Sequence, residues 1–102
     1  MLLLDYLLRI RKDLLAGRLA MHLGEPRVEL MQGFITGYNA CMVSHGVADA
    51  EYGQFREWLR EKGEFPPEGW AAKYLRDCHG DHEQAIRKYL DFVAEFVALH
   101  RP

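Results

Sequence analysis

Residues 81–100 carry the signal that most constrains the fold of this chain. Asp81 is followed three residues later by Gln84, which is the layout of a capping box at a helix start. Behind it, apolar side chains return at the helical spacing of three and four. This stripe comprises Ile86, Tyr89, Leu90, Val93, Phe96, Val97 and His100. The pattern predicts a long amphipathic helix, and the same period recurs along the chain.

The composition indicates one folded domain over residues 1–102. Of the residues, 49% are hydrophobic and 27% are charged, which is near the globular average and argues against disorder. The formal net charge of −2 argues against a dedicated nucleic-acid binder, for which a basic excess is usual. We expect no membrane-spanning helix, which needs roughly eighteen apolar residues in a row. A secretory signal is not expected, because Asp5 and Arg9 follow the apolar start. A cytoplasmic protein with free thiols at Cys41 and Cys78 is predicted.

Hydrophobic periodicity divides the chain into about five helices and gives no strand alternation of useful length. Glycine, proline and N-cap residues mark the ends of these helices. The predicted spans are Leu2 to Gly17 or Gly24, Pro26 to His45, Ala50 to Lys62, Trp70 to Gly80, and Asp81 to His100. Residues 18–23 either continue helix one or form a separate segment. The fold predicted is an all-α, single-domain bundle without a sheet.

Helix one has a wide apolar sector. Its members are Leu3, Leu4, Leu7, Leu8 and Leu14, widened by Ile10 and Leu15. Such a helix is either covered on two sides within the monomer or closes a homodimer. Both alternatives stay open on sequence alone.

Helix two carries Gly33 and Gly37 four residues apart on one face. Small residues at this spacing allow close approach. We expect the neighbour to be a backbone or a bulky side chain of the same chain. The side of helix two that is predicted to be buried comprises Leu30, Met31, Phe34, Tyr38, Cys41 and Met42.

Cysteine and histidine residues occur in pairs that could form a metal site, but other features of the sequence argue against one. Cys41 and His45 share a helical face, and Cys78 lies near His79 and His82. Two such pairs brought together would make a Cys2His2 zinc site. However, a helix break separates Cys78 from His82, and both cysteines fall on apolar stripes, where a thiol behaves as a small hydrophobe. We therefore predict neither a metal nor a cofactor.

We also predict no enzymatic activity and no nucleic-acid binding. Cys78 and His79 are adjacent, but successive helical residues point about 100° apart, so adjacency does not pair a nucleophile with a base. Gly33-x-x-x-Gly37 lacks the Lys-Ser/Thr of a phosphate-binding loop. The basic residues between Arg9 and Lys12 share their helix with acids, as on a solvated face.

The loop between helices three and four contains two prolines and gives the predicted docking patch. Loops run on surfaces, so Phe65 is expected to be exposed. Aromatic residues anchor interfaces, and flanking acids steer a basic partner. Trp70 either joins this patch or fills the core beneath the loop. The predicted partner-binding residues are Glu64, Phe65, Glu68 and Trp70.

Several short segments carry a family resemblance. They are Leu8-x-Ile10-Arg11-Lys12 leading to Leu23-Gly24, Leu30-x-x-x-Phe34-x-x-Gly37-Tyr38, Phe55-x-x-Trp58-Leu59, Trp70, and Ala85-Ile86 before Phe92 and Phe96. In these segments the chain resembles small bacterial all-helical immunity proteins, which are encoded beside toxins. It departs from them at His22, where Tyr is usual, and at Ala16-Gly17-Arg18.

The resemblance implies a non-catalytic protein that binds and neutralises a toxin domain. The net negative charge fits a basic nuclease as that toxin. The alternative is a small ligand- or metal-binding regulator that uses the Cys and His residues between helices two and four.

Overall fold

The computed structural model describes residues 2–101, apart from the side chain of Ala20. Among these residues there are six α-helices and no strand. The all-α prediction is confirmed. In chain order the helices are α1 Leu3–Leu15, α2 Ala20–Leu23, α3 Val28–Ser44, α4 Ala50–Glu61, α5 Trp70–Asp77 and α6 His82–His100. The addition to the predicted set is α2, a single turn within the segment that the sequence left undecided. Helix α1 ends before Gly17, whose φ of 77° suits glycine.

Helix α6 organises the core by packing chiefly against α1 and α5. Its buried residues are Ala85, Ile86, Tyr89, Leu90, Val93 and Phe96. The predicted stripe is therefore correct as far as Phe96, whereas Val97 is half-buried and His100 is exposed. No helix among the described residues combines the length and the apolar character that a membrane crossing requires.

The apolar sector of α1 is covered within the monomer. Helices α3, α4 and α6 pack against it and bury Leu3, Leu4, Leu7, Ile10 and Leu14. Leu15, at the end of the helix, is 50% exposed. This burial is the first of the two alternatives, so the width of the sector gives no reason to expect a homodimer through α1.

Two helices whose own sequence lacks a capping side chain are capped by residues far along the chain. The amide of Leu3, at the start of α1, donates to Oδ2 of Asp49 at 3.1 Å. The amide of Val28, at the start of α3, donates to Nδ1 of His82 at 3.1 Å. Asp49 also caps its own helix, because Oδ1 accepts from the amide of Tyr52 at 3.0 Å. Since unpaired amides at a helix start cost free energy, these bonds tie α1 to α4 and α3 to α6.

The end of α6 is fastened to the starts of α1 and α4 by Arg101. Its Nη1 donates to Oδ1 of Asp5 at 2.7 Å, and its Nε donates to Oε2 of Glu51 at 2.9 Å. A further bond from Nη2 makes the contact with Glu51 two-pronged. Glu51 first, and then Asp5, raise the pKa of Arg101 above its ordinary value. The cation therefore stays charged and closes the acidic corner where two helices begin.

Candidate functional site

The loop at residues 64–69 is held against the core by the Phe65 ring and by a backbone hydrogen bond. Phe65 is half-buried and packs on the core, with the guanidinium carbon of Arg60 5.3 Å from its ring centroid. The backbone carbonyl of Glu64 accepts a hydrogen bond from the hydroxyl of Tyr74 at 3.0 Å. The expectation of an exposed Phe65 is therefore wrong, because the loop turns this ring inward.

Trp70 fills the core beneath the loop. It is 2% exposed, and its ring stacks on that of Tyr89 with 4.2 Å between the centroids. The sequence left open whether Trp70 joins the surface of the loop or fills the core, and the structure shows that it fills the core. The assignment of Trp70 to a partner-binding surface is corrected accordingly, because a partner would touch it only after the loop had moved.

The acids of the loop are already paired with cations. Glu64 lies between Lys73 and Lys88, with N–O distances of 3.3 and 3.4 Å. Asp77 lies 2.7 Å from both ammonium groups. Glu68, which is exposed, pairs with Arg76 at 3.3 Å. These pairs leave the loop little uncompensated negative charge with which to steer a basic partner.

The lysine pair makes Asp77 a source of acid sensitivity. Hydrogen bonds from Lys73 and then Lys88 lower the pKa of Asp77 from 3.8 to about 2. Because the folded pKa is depressed, the stabilisation by this carboxylate is fully present above pH 3.8 and is lost as the pH falls through 2. We expect Asp77→Asn to be less stable than the wild type at neutral pH. This difference in stability should vanish as the pH falls through 2. Urea midpoints of both proteins at a series of pH values measure this difference, and a pH-independent difference would contradict it.

The cysteine–histidine pairs do not assemble into a metal site in the described part of the chain. Sγ of Cys41 lies 3.8 Å from Nδ1 of His45, but that nitrogen also lies 2.8 Å from the carbonyl oxygen of Cys41. His45 thus bonds the last turn of α3, while His82 accepts from the amide of Val28. Both cysteines are free thiols. No group of three or more His, Cys, Asp and Glu side chains that could hold a metal ion occurs among the described residues.

Polar contacts among the side chains of Tyr6, His22 and Asp13 join α1 to α2. Nε2 of His22 lies 2.7 Å from Oδ2 of Asp13, and its Nδ1 lies 3.4 Å from the hydroxyl oxygen of Tyr6. The second distance is long for such a bond. Arg18 holds the other oxygen of Asp13 at 3.1 Å, and His22 and Arg18 lower the pKa of that carboxyl. These contacts hold the single turn of α2 against α1.

Three core tyrosines are kept neutral by burial. Desolvation is the largest cause that raises the pKa of Tyr52, Tyr74 and Tyr89. A phenol of raised pKa is a weaker acid and holds its proton at ordinary pH. Their rings pack in the core, and the hydroxyl of Tyr74 donates a hydrogen bond to the backbone carbonyl of Glu64.

After Glu29 in its first turn, α3 has no charged residue, and one of its sides is exposed along its length in the described part of the chain. Only Val28, Met31 and Ile35 of this helix are buried. The opposite side, which we refer to as the α3 face, comprises Leu30, Gly33, Thr36, Gly37, Ala40, Cys41 and Ser44, all of them exposed. The predicted burial of Leu30 and Cys41 is therefore wrong, because the helix is turned so that Val28 and Ile35 point inward.

The two glycines of the α3 face lie under open space. A Cβ at Gly33 or Gly37 would meet no atom within 4 Å. The expectation that another part of the chain approaches them closely is wrong. Each interior helical glycine costs about 0.8–1 kcal/mol relative to alanine. No packing contact within the described chain offsets this cost.

The sequence contains a signal for this face that its apolar periodicity does not reveal. Residues 30–48 include no Asp, Glu, Lys or Arg. A solvated helix surface usually carries charges, so a helix that is uncharged on every side is expected to be covered on every side. In α3 the chain itself covers one side only.

A groove with a volume of about 610 Å³ runs between α4 and the end of α6. The α4 residues that line it recur at helical spacing and therefore form one side of that helix. They are Ala50, Gly53, Gln54, Glu57, Trp58 and Glu61, and α6 adds Phe96 and His100. The aromatic residues of this groove were predicted only as core.

Comparison of the chain with protein-family models, curated proteins and solved structures finds no match in any of the three.

Proposed function

We propose that this chain is a non-catalytic protein-interaction module that binds a partner protein through the α3 face. The observation that carries the proposal is the open space above Gly33 and Gly37. Two interior glycines weaken α3 by about 2 kcal/mol relative to alanine. A partner helix or loop lying against them would recover this cost, because small residues let backbones approach and pack closely.

The uncharged segment that contains the two glycines also exposes large apolar side chains. In the same uncharged segment, Leu30 is 42% exposed, Val43 is 64% exposed and Val47 is 37% exposed. The cores of protein interfaces are depleted in charged residues, whereas ordinary surface is not. An exposed surface that is both apolar and uncharged is the kind that marks an interaction site.

The specific partner that we propose is a bacterial toxin domain, which the resemblance to immunity proteins implies. The chain would neutralise the toxin by covering or distorting it, without chemistry of its own. Cys41 lies on the α3 face as an exposed free thiol, which fits the reducing cytoplasm.

Replacing Gly37 with glutamate tests this interface. A Cβ at this position meets no atom within 4 Å, and glutamate is a better helix former than glycine, so we expect the fold to be retained. In a complex it would place a charge and added bulk at the contact. We expect the variant to bind the product of an adjacent toxin-like gene at least tenfold more weakly than the wild type, about 1.4 kcal/mol. Calorimetry on the purified pair measures the affinity, and co-expression measures rescue of growth.

The matched control is Ala72→Glu, which adds the same charge to an exposed position of α5. It should bind and rescue as the wild type does. Equal affinity of the Gly37→Glu variant would contradict the α3 interface. Failure of the wild-type chain to co-purify with the neighbouring gene product would contradict the toxin as partner.

A further inference from the structure

The groove between α4 and α6 has a floor of small residues. Ala50 and Gly53 lie on the groove side of α4, and a Cβ at Gly53 would meet no atom within 4 Å. An interior helical glycine costs about 1 kcal/mol relative to alanine. Here its effect is to keep the floor low and the groove open.

The walls of the groove are aromatic. The rings of Phe96 and His100 stack with 4.0 Å between their centroids, and Trp58 stands edge-to-face to Phe96 at 5.5 Å. Nδ1 of His100 lies 2.9 Å from the carbonyl oxygen of Phe96. Because a carbonyl only accepts, Nδ1 donates this hydrogen bond, which fixes the orientation of the ring.

The charges on the rim are negative. Glu57 pairs with Arg60, whereas Glu61 makes no ion pair among the described residues. Lys62 lies outside the lining, with its ammonium 4.7 Å from the centroid of the Trp58 ring and 3.7 Å from Glu95. The groove thus combines aromatic walls with one unpaired carboxylate.

These features match the chemistry of an arginine side chain. Its guanidinium pairs with a carboxylate in two-pronged geometry, and its planar head and apolar stem pack on aromatic rings. The α4 side of the groove extends from Ala50 to Glu61, about 16 Å at the helical rise per residue. That length corresponds to about five residues of extended peptide. A single amino acid or a small amine would leave most of it empty.

We propose that this groove binds an arginine-bearing, otherwise apolar peptide segment of a partner protein. The cation lies at Glu61, beside the paired Glu57, and the apolar residues lie against Trp58, Phe96 and His100. The site is separate from the α3 face, so the two proposals stand or fall independently.

The test uses a fluorescein-labelled pentapeptide, Leu-Arg-Leu-Arg-Leu, and fluorescence anisotropy with the full chain. A second peptide carries citrulline in place of arginine, which keeps the shape and removes the charge. We expect the citrulline peptide to bind at least tenfold more weakly. Glu61→Gln should weaken binding of the arginine peptide at least fivefold, and Gly53→Leu, which raises the floor, at least tenfold.

Two control variants match these changes in charge and in bulk. Glu83→Gln removes an exposed carboxylate at the start of α6, and Gly37→Leu adds the same side chain to the α3 face. Both should bind the arginine peptide as the wild type does, and circular dichroism confirms the fold of each variant. The proposal would be overturned if the citrulline peptide bound as tightly as the arginine peptide, or if the wild type bound no peptide at millimolar concentration. It would also be overturned if Glu61→Gln and Glu83→Gln had equal effects, or if Gly53→Leu left binding unchanged.

Discussion

Replacing Trp70 with alanine should lower the free energy of unfolding by about 3–5 kcal/mol, the range for truncating a large buried aromatic. The ring is 2% exposed and stacks on Tyr89, which is itself fully buried. Its removal leaves a cavity at the junction of α5, α6 and the loop before α5. For a domain of this size, the loss lowers the melting temperature by roughly 15–30 °C. Urea titration followed by circular dichroism measures it.

Phe65→Ala is the matched control in the same loop. This ring is half-buried, so its truncation should cost about 1 kcal/mol, near the typical value for point substitutions. The comparison also separates the two roles that the sequence left open for Trp70. If Trp70→Ala were as stable as the wild type and instead lost partner binding, the docking role would be correct and the core role wrong.

Local signals in the sequence predicted the helices well. Asp81 accepts from the amide of Gln84 at 3.1 Å, and Asp49 accepts from that of Tyr52, as N-caps should. Gly63, with a φ of 73°, ends α4 next to its predicted last residue. Such features depend on neighbours a few residues away, so they are legible before any tertiary structure is known.

Contacts between distant elements were not predictable in this way. Leu2 and Arg27 precede α1 and α3 without a capping side chain, and the acceptors come from Asp49 and His82. Nothing local marks these acceptors, because their positions are set by how the helices pack.

The same limit explains why Phe65 and Trp70 are less exposed than the predicted docking patch requires. The prolines and acids of the loop predicted a surface position correctly for Glu68, but the direction of Phe65 depends on Arg60 and on the core beneath it. The sequence did hold a signal for the α3 face, since residues 30–48 lack charged side chains. This lack of charge can be interpreted only when the solvent exposure of the helix is known. An uncharged helix surface indicates an interface only where no other part of the same chain covers it.

The second large effect is expected at Asp49, whose two carboxylate oxygens accept from the starts of two helices. Replacing an N-cap aspartate with alanine costs about 1 kcal/mol on average. The amide of Leu3 would also lose a partner in a partly buried site, which adds about 1–2 kcal/mol. We therefore expect Asp49→Ala to lower the free energy of unfolding by about 2–3 kcal/mol. Asp81→Ala, at a single cap, should cost about 1 kcal/mol.

Asparagine at the same positions gives the sharper comparison, because it offers one acceptor oxygen where aspartate offers two. At Asp81 one oxygen suffices, and asparagine caps about as well as aspartate, so Asp81→Asn should be nearly neutral. At Asp49 the side-chain amide group would face one of the two helix amides donor to donor, so Asp49→Asn should retain one cap and lose the other. We expect it to fall about midway between the wild type and Asp49→Ala in urea unfolding. If Asp49→Asn were as harmless as Asp81→Asn, the bond from Leu3 would contribute nothing, and the tie between α1 and α4 would rest on apolar packing and Arg101 alone.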